Sequence, residues 1–512
     1  MSDIRDDYGS PEFGAPDVPE EPQIFPEQED DYEVVKEPIT VKRVAIVGGR
    51  VVTGLVGIGV AAVTIATAAL VPLPSFTASP ASQLITPVPT AQQLVCPGAI
   101  LRLADDEGEG ATISSPIGRP TVDSAASSSA VDATPLEQSD ASTGGTAAAP
   151  TVISTPPNQD DPTAVNLLSG AQVQSASEGE FVGLTAGDCG TVSGDVWLAG
   201  GSTSVGRTTL LTLSNPTEVP ATVNIELFGE SGPITAPGTS GIVVPASGQR
   251  VVSLAGFQPD VASPVVHITS TGGQVVAQLQ QATVRGLVAG GLDIIGPTVS
   301  PSLDNIIPGV VITDLVAVQE LAGGGEAFND LRTVLRLFAP GDEPVSATVS
   351  VTPEDGSGTG ASFVFDLDGG RVVDLPVGEL ENGSYTVRVV SDAPTLAAVR
   401  VSAAVGSATD FAWMVSAPQL PDPAQVTIAD GPSPVLHLAN PTDADVTVTA
   451  VDLSVPVPAG TTATVAVDPG ETYQLSGYEQ LMAAVTFTNG SEIASYTVHP
   501  QGAGSTPIRV YR

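Results

Sequence analysis

Positive charge is what this sequence has least of. Against 57 Asp and Glu it carries 17 Lys and Arg, a formal net charge of −40, and its only lysines are Lys36 and Lys42. A chain so acidic repels phosphate, which excludes nucleic acid as a partner. Apart from one basic cluster near the N-terminus, it has nothing to dock on anionic lipid. Aromatics are scarce at 4%, with two tryptophans, whereas Gly (54) and Pro (45) abound among many Val and Thr. That composition excludes a helical bundle and reads as β-rich and loop-rich.

The residues that carry chemistry are thin as well. Three histidines, His267, His437 and His499, lie far apart. No pair of His or Cys has zinc spacing. A nucleophile–base–acid triad would need an elbow such as G-x-S-x-G, and the sequence has none. The acidic clusters Asp105-Asp106-Glu107 and Asp366/Asp368 lack the calcium-loop pattern. A glycosidase would need paired carboxylates beside aromatic platforms. Asp195 and Asp410 each precede a tryptophan, but their recurrence in parallel copies points to the fold. No cofactor, metal or catalytic activity is expected.

Long apolar runs are equally rare, and the one present organises the chain. Val51–Val71, VVTGLVGIGVAAVTIATAALV, holds 21 residues without a charge. At about 1.5 Å per residue it spans roughly 31 Å as a helix, enough to cross a hydrocarbon core of about 30 Å. Lys42, Arg43 and Arg50 flank its N-terminal side, and no basic residue follows until Arg102. This asymmetry predicts a cytoplasmic N-terminus and an external C-terminal region. A cleaved signal peptide would have a shorter apolar core of about 7–15 residues behind a short leader. The run VAIVGGRVVTG mimics a dinucleotide fingerprint, yet no second strand and acidic residue follow it.

Residues 1–43 form an acidic, proline-bearing tail with too little apolar content to fold. After the anchor (44–71), residues 72–92 read as a Pro/Ser/Thr stalk. Residues 93–103 read as a strand joining the first folded domain. Residues 104–161, rich in Ser, Ala, Thr, Gly and Pro, read as a disordered tether. Both cysteines, Cys96 and Cys189, fall outside the membrane, where a pair usually bonds. A Cys96–Cys189 disulfide would contribute about 2–4 kcal/mol; two free thiols or a bond between chains is the alternative.

From residue 162 onward the sequence repeats itself three times. TTLLTLSNPTEVPATVNIEL (208–227), TVLRLFAPGDEPVSATVSV (333–351) and PVLHLANPTDADVTVTAVDL (434–453) each join two alternating strands. The joining turns open on Asn215-Pro216, Ala339-Pro340 and Asn440-Pro441, where proline cannot continue the ladder. Hairpin turns at Gly272-Gly273, Asp392-Ala393-Pro394 and Asn489-Gly490 read as a second shared landmark. SGDVWLAGG, GLDIIGP and TDFAWMVSAP align as a further element in which Trp197, Ile295 and Trp413 coincide. The pattern predicts three antiparallel β-sandwiches of immunoglobulin-like size, at 162–300, 301–418 and 419–512. Trp197 and Trp413 are expected as core plugs. The proline-rich linkers SPSLDNIIPG and APQLPDPAQ predict domains in a row, forming a stiff rod.

With its WLAGGST…TTLLTLSNPTEVPATVNIEL stretch, acidic tail, single apolar helix and CPG-containing strand, the sequence resembles the DUF5719 family of actinobacterial membrane-anchored proteins of unknown function. The resemblance covers most of the chain but rests on structural turns, so it implies an envelope role and no activity. Two functions are consistent with this plan. One is a non-catalytic, single-pass cell-envelope protein presenting its sandwiches to cell-wall polysaccharide or envelope proteins. The other is a regulatory protein that reports an external binding event through its acidic tail.

Overall fold

Alternation of apolar and polar residues decides which face of each strand is buried. Ala221–Gly229, ATVNIELFG, buries Ala221, Val223, Ile225 and Leu227 and exposes Thr222 and Glu226. Val345–Pro353 follows the same two-residue period. In this computed structural model the described residues are 82–85, 91–103, 114–138, 148–158, 166–357, 360–378, 380–450, 453–500 and 508–511. The expected acidic tail, anchor and most of the stalk, with Lys42, Arg43 and Arg50, lie outside them. Among the described residues no helix is long and apolar enough to cross a membrane.

The chain is mostly β, in many antiparallel sheets. Each repeat has eight strand positions in one order. The first repeat uses Asp195–Ala199, Arg207–Asn215, Ala221–Gly229, Gly232–Ile234 (with Ile242–Val244), Gly248–Ser253, Val265–Gly272, Val276–Arg285 and Val288–Ile295. The second uses Ser302–Ile312, Val334–Phe338, Val345–Pro353, Ala361–Leu367, Val372–Pro376, the 23-residue Gly383–Val405 (sixth and seventh together) and Ala408–Val415. The third uses Ala424–Thr427, Val435–Ala439, Val446–Ala450, Leu453–Val457, Thr462–Ala466, Thr472–Ser476, Met482–Asn489 and Glu492–Thr497. In all three, one sheet runs first–sixth–third–fourth and the other fifth–second–seventh–eighth.

The repeats do not stand in a row. Their eighth strands converge with a fourth strand, Phe181–Asp188, whose hairpin partner is Leu168–Glu178. The cores merge accordingly. Phe338, Phe411 and Trp413 of the second repeat pack into the core of the first. Ile493 of the third enters that of the second, and Val173 and Leu184 enter that of the third. The sequence expectation of a rod fails because the eighth strands are buried on both faces (Ala408–Val415 exposes only its first residue), so each needs a neighbour from another repeat. The supposed linker SPSLDNIIPG is itself the start of a first strand, Ser302–Ile312.

The expected tether is also corrected. Ser114–Ile117, Thr121–Ala126, Asp132–Pro135, Glu137–Gln138 and Thr151–Thr155 are strands. Small residues cannot build a core alone, but here they extend sheets whose core others supply. Thr121–Ala126 pairs with Leu168–Val173, and Thr151–Thr155 pairs with Gln92–Cys96. The rest of the expected tether lies outside the described residues.

Candidate functional site

The two asparagine turns are built identically. Asn215 is fully buried; its Oδ1 accepts from the Thr217 N–H (2.9 Å) and hydroxyl (2.7 Å), and its Nδ2 donates to the Val219 carbonyl (2.8 Å). Asn440 accepts from the Thr442 N–H (3.1 Å) and hydroxyl (2.7 Å) and donates to the Ala444 carbonyl (2.8 Å). Ala339-Pro340 closes the equivalent turn without a side-chain amide, the Gly370 N–H donating to the Ala339 carbonyl at 2.8 Å. The buried side-chain amides of Asn215 and Asn440 are thus engaged at both ends and serve the fold.

The remaining predicted residues separate. Cys96 and Cys189 are bonded across 93 positions, and the Val95 N–H donates to the Gly190 carbonyl beside them. Trp197 and Trp413 are both buried in one core, but they are not equivalent. Trp197 lies on a first strand, whereas Ile295 and Trp413 lie on eighth strands. The Asn489-Gly490 turn likewise joins the seventh and eighth strands, while Gly272-Gly273 and Asp392–Pro394 join the sixth and seventh. The landmarks were out of register by one hairpin, because alternating Val/Thr/Ala strands give little to tell neighbours apart.

All three histidines pair with carboxylates. His267 stacks on Trp197 at 4.0 Å and sits between Glu226 (2.9 Å) and Asp195 (3.2 Å) on a sheet face. His499 Nδ1 meets Asp188 at 2.7 Å, joining the third repeat to the 181–188 strand. Burial works to lower the His499 imidazole, but the Asp188 charge and hydrogen bond overcome it and hold the group above its usual value. His437 has the most catalytic-looking geometry. Its Nδ1 lies 2.6 Å from Glu354 Oε2 and its Nε2 lies 2.9 Å from the Thr486 hydroxyl. Glu354 also accepts from the Gly309 N–H (2.9 Å) and the Thr386 hydroxyl (2.8 Å). Burial works to raise Glu354, and His437 with these donors outweighs it, so the carboxyl is held below its usual range. Hydroxyl, imidazole and carboxylate stand in the order of a triad, but His437 and Thr486 are buried and Glu354 alone of the three lines the adjoining cavity.

Two further clusters tie repeats together. Asp330, on a 3-10 turn inserted in the second repeat, contacts Arg207 (2.9 Å) and Arg285 (2.7 Å) of the first repeat and Arg400 (3.2 Å) of its own. Burial works to raise Asp330, and the three guanidinium charges lower it on balance. At the strand ring, Asp410 Oδ2 accepts the Leu184 N–H (2.9 Å) and the Ile493 N–H (3.3 Å), while Oδ1 accepts the Leu292 N–H (3.0 Å). One carboxyl group therefore holds three strands from three other units. It fits because Gly183 and Gly291 flank it at φ of 150° and 118°; a Cβ on either would stand 2.6 Å from Oδ1. Burial pushes the Asp410 carboxyl up to about 8, against the pull of the amides. Nearby Asp293 accepts the Trp413 N–H at 2.7 Å, and burial raises it well above the usual range.

Open space lies between the second and third repeats. A cavity of about 570 Å³ is bounded by Thr352, Glu354, Asp355, Thr386, Arg388 and Thr461. A second, of about 490 Å³, shares Pro353, Asp355 and Ser357 with it and reaches Tyr385 and Thr464. The polar side chains of the lining are mostly hydroxyls and carboxylates, set among Pro, Gly and Ala. Arg388 is already paired with Asp304 at 2.7 Å. Among the described residues no group of three His, Cys, Asp or Glu could hold a metal ion. Neither the groove nor Asp410's role was legible in the sequence; the one signal for Asp410 was a charge inside an otherwise apolar strand.

Fold and site together define a mostly β repeat protein whose domains close around a shared ring of strands. The chain belongs to a family of unknown function, DUF5719, whose family model matches residues 141–476, more than half of its length. No curated protein matches it.

Proposed function

We propose that the protein is a non-catalytic, single-pass membrane protein of the cell envelope. In this reading its N-terminus is cytoplasmic and its body stands outside, a set of immunoglobulin-like sandwiches that does structural or binding work at the wall. Its partners are the membrane and either cell-wall polysaccharide or other envelope proteins. One observation carries the reading: buried groups that could do chemistry instead join units to one another. Asp410, Asp330, the His437–Glu354 pair and the His499–Asp188 pair each bridge two or more of them. The apolar run 51–71 and the basic residues before it support the anchoring, and a disulfide fits an external body.

The test has two arms. Protease added to intact cells should digest the body while sparing an epitope placed within residues 1–43; an exposed epitope would overturn the topology. The full chain in detergent should co-sediment with envelope fractions and be displaced by the soluble polymer or extracted proteins of the same fraction. Equal recovery with and without those fractions would refute the binding role.

A further inference from the structure

The fifth strands of the repeats differ in what covers their outer edge. In the first repeat Glu137–Gln138 runs parallel to Gly248–Ser253, with Glu137 opposite Gly248 and Gln138 opposite Gln249. The Glu137 N–H donates to the Ser247 carbonyl at 3.0 Å, and Gln138 Nε2 donates to Gln249 Oε1 at 2.8 Å. Internal equivalence carries this position to the third repeat. Asn215 stands opposite Gly248, and the Asn440 N–H donates to the Thr461 carbonyl at 2.9 Å. Thr461–Thr462 therefore occupy the place of Gly248–Gln249. There the fifth strand, Thr462–Ala466, ends its sheet, and among the described residues no strand pairs with its outer edge. The two cavities between the second and third repeats lie along that edge and touch Thr461, Thr462, Ala463 and Thr464.

The ladder fixes which groups face the open side. In an antiparallel pair, residues alternate between pointing N–H and C=O at the partner and away from it. The Thr461 carbonyl accepts from Asn440, and the Val467 N–H donates to the Pro434 carbonyl at 3.2 Å, so odd-numbered residues face the second strand. Thr462, Thr464 and Ala466 then turn their main-chain groups outward. Thr462 is buried, its hydroxyl 2.7 Å from that of Thr386, while Thr464 and Ala466 are exposed and form the open template for another strand.

We propose that this edge is a strand-acceptor site, to which an extended segment of a partner protein adds parallel to Thr462–Ala466, as Glu137–Gln138 does in the first repeat. Main-chain bonds hold the segment. The facing wall carries Ser350, Thr352 and the exposed Asp355, and its one guanidinium, Arg388, is neutralised by Asp304. The segment that fits is uncharged or basic, with small or hydroxyl-bearing side chains toward that wall. The inference goes beyond the envelope reading and holds whichever compartment the body occupies.

The test starts from a phage-displayed library of random peptides selected on the immobilised full chain. A selected peptide is then synthesised, and its binding is measured by fluorescence anisotropy against the wild type, Thr464→Pro and Thr464→Val. Proline removes an outward N–H without breaking a bond to the second strand, so Thr464→Pro should weaken binding at least tenfold. Thr464→Val keeps the main chain and should bind within twofold of wild type. Amide exchange on the wild type, which does not rely on any variant folding, should slow at Thr464 and Ala466 when the peptide is present. Equal loss in both variants would instead indicate recognition of the hydroxyl, as by a saccharide site, and would overturn the proposal. Failure to select any peptide, or unchanged exchange at those amides with peptide bound, would overturn it too.

Discussion

Removing the Asp410 carboxyl group should loosen the whole body, because three strands from three units hang on it. Asp410→Ala leaves the Leu184, Leu292 and Ile493 N–H groups without their acceptor. A buried donor left unsatisfied costs about 1–3 kcal/mol, so the three together cost roughly 3–9 kcal/mol. Water entering from the cavity of about 370 Å³ at the hairpin tips, which Asp410 lines, offsets part of this. The expected loss is about 4 kcal/mol. Asp410→Asn is the graded control. With its oxygen in place of Oδ2 it keeps Leu184 and Ile493 and sets its NH₂ against the Leu292 N–H, for about 1–3 kcal/mol. Urea unfolding followed by tryptophan fluorescence is the assay, since Trp197 and Trp413 share the adjoining core. The pH dependence gives a second reading. With Asp410 raised from 3.8 to about 8, the folded state keeps a proton that the unfolded chain releases. Stability therefore falls as pH rises through that window, and Asp293 adds a slope of the same sign. Asp410→Asn should flatten the slope in part. An alanine variant within about 1 kcal/mol of wild type, or an asparagine variant as damaging as alanine, would refute the role of the carboxyl group as a three-strand tie.

The other expectations follow from the same contacts. Asn215→Ala and Asn440→Ala each remove the same buried turn network and should destabilise by similar amounts, about 2–4 kcal/mol in urea unfolding. His437→Ala strands the buried Glu354 carboxylate and should cost about 3–5 kcal/mol. In the wild type the Glu354 contribution is present above its ordinary value of 4.5 and lost as pH falls through its depressed folded value, so acid unfolding of a Glu354→Gln variant should show a shallower dependence. His499 has the opposite sign: its stabilisation is full below its ordinary 6.5 and lost as pH rises through the raised folded value. His499→Gln should thus lose stability near pH 6 and little at high pH, by thermal melts across that range. Gly183→Ala drives a Cβ into Asp410 at a φ of 150° and should yield little folded protein, read as soluble expression.

What could be read from the sequence was whatever local physics dictates. Proline after Asn215, Ala339 and Asn440 ends a strand in any context, and those turns are where expected. The pairing of Cys96 with Cys189 needed only a chain with two cysteines, both expected on the same side of the membrane. The register within each repeat was not local. A seventh–eighth hairpin and a sixth–seventh hairpin have the same Val/Thr alternation and the same glycine turn, so Asn489-Gly490 aligned with the wrong pair and Trp197 with the wrong strand. Nor was closure of the repeats local. A strand buried on both faces differs from one buried on one face only in the residues of its second face, and small residues such as Ala412 and Ala494 serve on either. One residue did break the ambiguity. A lone acid inside TDFAWMV has to find donors if that strand is buried, and a single strand has no spare amides to offer. Asp410 thus required partners from elsewhere in the chain, and the ring formed by the eighth strands and Phe181–Asp188 is the arrangement that supplies them.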